Sequence, residues 1–194
     1  MVERMCICEL IPLIENKTRV TLLIHKREIN RTTNTGRLAT LALKNSTLII
    51  RGRPDEPLIK EDVLPPGYQS ILLYPFDEAQ VLENSVFDSA SVGTGKINLI
   101  VPDGNWRQAS KVGKREKMLA DIPRVRLPYT KASEYFLRHE PNAEGLATLE
   151  AIARALGLIE GAHIQDQLEK LFRLMVSRTL ESRPLPLQRG LSRL

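Results

Sequence analysis

The feature that most restricts what this chain can fold into is its alternation of short, apolar, β-branched runs with segments of helical periodicity. RVTLLIH (Arg19 to His25), TLIIRG (Thr47 to Gly52), SILLYP (Ser70 to Pro75), INLIVPD (Ile97 to Asp103) and RVRLP (Arg124 to Pro128) read as five strands. Helical patterns lie between and after them: a short one in GRLATLALKN from Gly36, one from Asp77 to about Asn84, and a long one from about Asn105 to Ala120. Two more close the chain, Thr148 to Ile159 and His163 to Leu180. Strands apolar on both sides and separated by helices predict an α/β fold, a mostly parallel sheet with helices on both faces. Arg53 to Gly67, rich in proline and acidic residues, reads as a loop. In the last helix Ile164, Leu168, Leu171 and Met175 recur at i, i+4, i+7 and i+11, the spacing of a core-facing stripe.

A length of 194 residues suits one domain, here residues 1–180, with 181–194 as a flexible tail. Apolar residues make up 42% and charged residues 26%, which excludes a chain disordered throughout. The formal charge of +5 favours a polyanionic partner, although a mildly basic surface is also common without one. No run approaches the roughly 18 apolar residues that span a bilayer. The first residues also lack the basic start and apolar centre of a secretory signal, so a cytoplasmic protein without a membrane contact is expected. Cys6 and Cys8 are too close for an easy disulfide, and two thiols cannot complete a four-ligand zinc site. Reduced cysteines and no metal are expected.

Ligands of open parallel sheets gather beyond the carboxyl ends of the strands. Leu72-Leu73-Tyr74-Pro75 is one unusual strand end. The other is Val101-Pro102-Asp103-Gly104-Asn105-Trp106, a buried strand emptying into an acidic turn beside the chain's single tryptophan. Taken alone, Asp103 reads more readily as a helix cap and Trp106 as core packing. Arg107, Lys111 and Lys114, at i, i+4 and i+7 with Arg115 nearby, put a basic stripe opposite Ala109, Val112 and Ala120, beside that turn and suited to a phosphate backbone. Asn34-Thr35-Gly36-Arg37 offers a capped helix start that faces an anion. In Leu146 to Ala151, Thr148 is a candidate cap and Glu150 a partner of the helix dipole. Val92 to Lys96 is not a phosphate loop, because Ala90 stands where the first glycine is needed and a strand follows. His25 with Glu28 lacks the second histidine of a zinc-protease helix.

Taken in order, several segments resemble the DTW-domain family, which is related to ribosomal RNA aminocarboxypropyltransferases. They are Cys6-Ile7-Cys8, His25 to Leu38 with NTGRL, Leu73-Tyr74-Pro75 with Asp77-Glu78-Ala79, Asp103 to Ala109, and Thr148-Leu149-Glu150-Ala151. Two departures stand out. Asn105 occupies a position where threonine is usual, and the further cysteines that complete a zinc knuckle in many relatives are missing.

The resemblance implies a SPOUT-like fold with a C-terminal knot that cradles S-adenosylmethionine (SAM). It implies transfer of the 3-amino-3-carboxypropyl group to N3 of a uridine in tRNA, with methylthioadenosine leaving. Leu73, Pro75 and Trp106 would wall in the SAM methyl, so that positioning selects the carbon transferred. Pro102, Asn105, Thr35, Thr148 and Glu150 would complete the cofactor site, with Arg37, Arg107, Lys111 and Lys114 on the RNA. Asp103 would be catalytic, taking the N3 proton or else acting on the charges of SAM. The competing readings are a SAM-dependent RNA methyltransferase and a non-catalytic RNA-binding module. A monomer is favoured as the oligomeric state.

Overall fold

The five expected strands form, and a sixth joins them at the sheet edge. The computed structural model describes residues 6–31, 34–83, 95–128 and 145–181. Its strands are β1 (Arg19–His25), β2 (Ser46–Arg51), β3 (Gln69–Leu73), β4 (Gln80–Val81), β5 (Ile97–Asp103) and β6 (Arg124–Arg126). They lie in the order β2-β1-β5-β3-β6-β4, and every pairing is parallel. The helices are α1 (Thr35–Ala42), α2 (Lys60–Val63), α3 (Trp106–Ala109), α4 (Val112–Arg115), α5 (Thr148–Glu160) and α6 (Ala162–Glu181). Among the described residues, no helix is long and apolar enough to cross a membrane.

The period-2 alternation of strand side chains divides the interior in two. Val20, Leu22, Ile71, Leu73, Leu99 and Val101 pack on one face with apolar residues of α1, α5 and α6. There Ile164, Leu168, Leu171 and Met175 are all buried, as their spacing predicts. Leu23, Leu72 and Ile100 form the smaller core on the other face, with Val63 of α2, Val112 of α4 and Leu119. Continuing each alternation to the strand ends puts Asp103 on the α1/α5 face. It puts His25 and Arg51 on the α2/α4 face.

A polar side chain inside such a sheet is costly unless hydrogen-bonded. Asn98, fully buried within β5, meets that condition. Its Oδ1 accepts from the Thr21 hydroxyl at 2.7 Å, and its Nδ2 donates to the Val63 carbonyl and to Ser70 Oγ, both at 2.9 Å. One side chain thus ties β1, β5, β3 and the end of α2 together.

Three expectations need correction. The segment from Asp77 forms no helix: Gln80 and Val81 pair with Val125 and Arg126 as the edge strand β4. Ala79 and Leu82, on either side of this strand, are buried, while residue 84 lies outside the described residues. The long helix from Asn105 breaks into α3 and α4 at the Ser110–Lys111 turn, and α4 gives way to a 3-10 turn at Lys117–Leu119 where Glu116 adopts an extended backbone. Ala120 is then exposed and does not belong to the apolar side. The Arg53–Gly67 loop contains α2, a single turn held down by buried Val63. The tail reading, 181–194, falls almost wholly outside the described residues.

Gly36 permits a close approach of α1 to β5 and α5. A Cβ there would lie 3.0 Å from Asp103 Oδ2 and from Thr148 Cγ2, and 3.1 Å from Leu22 Cδ1. Gly36→Val should therefore lower stability by about 1–3 kcal/mol through overpacking, read as an earlier urea midpoint. An unchanged midpoint would show that α1 is not seated this tightly.

Candidate active site at the carboxyl edge of the sheet

The central strand β5 ends at Asp103, between β1 and β3. From β1 the chain runs outward to β2 and then crosses to β3 on the far side of β5, so this is the point where strand order reverses and ligands collect. Asp103 is only 5% exposed, and a buried carboxylate requires donors. Two helix starts supply them. Asn34 Nδ2 donates to Asp103 Oδ2 at 2.5 Å, and the Thr148 hydroxyl donates to Oδ1 at 2.6 Å. The starts of α1 and α5 are themselves linked, since Leu149 N–H donates to Thr35 Oγ1 at 3.3 Å. Both helix dipoles place positive potential beside the anion.

The direction of these bonds is fixed from outside. Asn34 caps α1, its Oδ1 accepting from Arg37 N–H at 2.8 Å, so its amide nitrogen must face Asp103. Asp103 Oδ2 is therefore an obligate acceptor. Thr148 can reverse its hydroxyl, so Oδ1 can gain a proton and donate to Thr148 without losing the contact.

On the opposite face of the same edge, Arg51 is 1% exposed. Its Nη2 donates to the Gln108 carbonyl at 2.7 Å, while Nε makes no hydrogen bond among the described residues. Burial pushes the Arg51 pKa down, against the pull of Glu116; Arg115 adds to the lowering and Asp103 opposes it. Neighbouring His25 is held below the usual imidazole range by burial first, then by Arg51, Arg27, Lys26 and Arg115. The Tyr74 phenol, beyond β3, is pushed up to about 12 by burial, against a hydrogen bond with Ser110.

The structure brings Thr35, Thr148 and Asp103 together and separates other candidates from them. Asp103 is not the cap of the following helix. That role belongs to Asn105, whose Oδ1 accepts from Gln108 N–H while Gln108 Oε1 accepts from Asn105 N–H, both at 2.9 Å. This reciprocal capping box gives asparagine the work that a threonine does equally well there. Glu150 closes a similar box on α5, accepting from Ala147 N–H at 2.9 Å, so Ala147 rather than Thr148 is the capping position.

Leu73 is buried in the larger core, Pro102 is buried in β5, and Pro75 is exposed just past β3. Trp106 opens α3, but its side chain lies outside what the structure describes. Arg37, Arg107, Lys111 and Lys114 are exposed. The last three do not form one helical stripe, because Ser110 and Lys111 make a turn between α3 and α4.

Cys6 and Cys8 are free and exposed, with sulfurs 2.8 Å apart. No group of three or more metal-binding side chains occurs among the described residues.

Sequence reasoning passed over Asn34 and Arg51 as site residues. Asn34 was legible as a cap but not as a donor to a residue 69 positions away. Arg51 carried a signal that went unused: a charged residue closing an otherwise apolar strand, at the ligand end of the sheet.

The DTW domain family matches residues 1–180. A tRNA-uridine aminocarboxypropyltransferase 2 of Macaca fascicularis is 26% identical over 187 residues, covering 92% of this chain and 61% of the relative. Its mouse counterpart (Mus musculus) is 25% identical over 185 residues with the same coverage. A tRNA-uridine aminocarboxypropyltransferase A of Arabidopsis thaliana is 28% identical over 202 residues, covering 88% of this chain and 75% of the relative. The chain thus spans about three-fifths of the length of the mammalian relatives it matches. No solved structure shows significant similarity. With residues 1–180 matched and the Asp103 segment at the centre of the sheet's carboxyl edge, the chain belongs to the DTW domain family.

Proposed function

We propose that this protein is a tRNA-uridine aminocarboxypropyltransferase, moving the 3-amino-3-carboxypropyl group of SAM to N3 of a uridine. The observation that carries this reading is the buried Asp103 carboxylate, fixed by Asn34 and Thr148 at the end of the central strand. The names of the relatives point to the same chemistry. The donor supplies an alkyl carbon activated by a sulfonium. The N3–C bond forms as the C–S bond breaks, methylthioadenosine leaves as a neutral thioether, and the N3 proton goes to Asp103.

Asp103 suits that task because its Oδ1 accepts a proton while Thr148 turns from donor to acceptor, so the position of the base is kept. General base catalysis of this kind contributes about 10²–10⁴-fold. The starts of α1 and α5 keep the carboxylate from swinging, and Gly36 leaves it room. Leu73, Pro75, Pro102 and Trp106 lie at or beside the ends of β3 and β5, where they would shield the SAM methyl and present the amino-acid arm. A knotted, SPOUT-like C-terminal half is part of this proposal. It is supported by β5 and β6, late in sequence, each lying between two earlier strands. The tRNA backbone would follow the exposed Arg37, Arg107, Lys111 and Lys114 while the target base reaches Asp103.

Asp103→Asn separates chemistry from scaffold. Its carbonyl would still accept from Asn34, and its amide would donate to Thr148 Oγ1, so folding should be near normal. Single-turnover formation of methylthioadenosine should fall at least about a hundredfold. Full activity in that variant would return Asp103 to a structural role.

RNA affinity should follow the α3–α4 cations. If each of Arg107, Lys111 and Lys114 neutralises one phosphate, the triple alanine variant should show a salt dependence shallower by about two to three log–log units, with SAM affinity unchanged. An identical slope would move the tRNA to another surface.

A further inference from the structure

Among the described residues, Arg51 is a buried cation with no carboxylate in ion-pair contact. Its guanidinium presents five N–H donors, and the hydrogen bond it makes is to the Gln108 carbonyl. Among the described residues no carboxylate lies within ion-pair distance of it, and its Nε is buried without a partner. A cation removed from water and left unpaired works against folding unless an anion completes it. The charges around it only partly offset this cost: Glu116 and Asp103 favour the cation, while Arg115 opposes it. Of these acids, Glu116 forms no ion pair with Arg51 among the described residues, and Asp103 is already committed to Asn34 and Thr148.

The missing anion has a definable shape. A phosphate of an RNA strand is flanked by two riboses and meets exposed side chains, whereas Arg51 is 1% exposed. A planar guanidinium fork matches a planar carboxylate, and burial requires that carboxylate to sit on a short, slender arm. The location fits a ligand shared with Asp103. β1 alone separates β2 from β5, so the two strand ends are about 10 Å apart at a spacing of roughly 4.8 Å per strand. The Arg51 side chain closes much of that distance by reaching Gln108, in the helix just after Asp103.

We propose that Arg51 binds the α-carboxylate of the amino-acid arm of the SAM donor. This inference rests on the transferase reading above. It makes Arg51 a binding residue that sets specificity: gripping the far end of the arm fixes which carbon on sulfur faces the uridine.

The test is calorimetry of SAM, decarboxylated SAM and methylthioadenosine against the parent, Arg51→Gln and Arg51→Lys. The parent should prefer SAM over decarboxylated SAM by about ten- to a hundredfold, the range of a hydrogen bond to a charged group. Arg51→Gln should erase that preference by weakening SAM alone, leaving methylthioadenosine affinity unchanged. Arg51→Lys, which keeps the charge but not the fork, should retain part of the preference, and it gives the same readout if the neutral variant fails to fold. A preference preserved in both variants, or methylthioadenosine weakened as much as SAM, overturns the assignment and leaves the transferase reading standing. A parent that binds neither SAM nor methylthioadenosine removes both.

Discussion

A carboxylate held with one oxygen fixed as an acceptor and the other on a reversible hydroxyl organises the carboxyl edge of this sheet. The Arg37 amide can only donate, so Asn34 Oδ1 must accept, and Asn34 Nδ2 must point at Asp103. Thr148, from a helix more than a hundred residues later in sequence, holds the other oxygen. This arrangement requires α1 and α5 to approach β5 within van der Waals distance, which explains why a residue without a side chain, Gly36, stands in the first turn of α1. The NTG and TLEA segments are therefore two halves of one support for one acid.

The alternation of strand side chains then distributes charge across the edge. Asp103 and its donors occupy one face of the sheet, while Arg51 and His25 occupy the other, packed under α3 and α4. Under the proposed assignment of Arg51, a donor bearing both an ammonium and a carboxylate would meet complementary charges at this edge. The same division keeps the exposed cations of α3 and α4 outside the buried site, free for a polyanion.

Much of this was legible in the sequence because the strands are fully apolar and β-branched. RVTLLIH and INLIVPD form strands with the expected limits, and the α6 stripe lies in the core. The failures have a common cause, which is tertiary context overriding local pattern. Gln80 and Val81 are strand only because β6 offers an open edge. The helix after Asn105 breaks first at the Ser110–Lys111 turn, and with it goes the single basic stripe, and again where Glu116 leaves helical geometry. The segments of the site were found, but their wiring was not. Asp103 read as a possible cap of its own helix, yet Asn105 takes that role and frees the carboxylate for partners at positions 34 and 148. Arg51 was overlooked because its meaning depends on burial with no carboxylate in ion-pair contact among the described residues, which no linear pattern encodes.

The central claim is that the edge around Asp103 transfers an amino-acid arm rather than a methyl group. Incubating the purified protein with SAM and unmodified tRNA, then measuring both the nucleosides and the spent donor by mass spectrometry, tests it directly. The account predicts 3-(3-amino-3-carboxypropyl)uridine in the tRNA and an equal amount of methylthioadenosine. A methylated nucleoside accompanied by S-adenosylhomocysteine, or tRNA left unmodified with SAM intact, would contradict it.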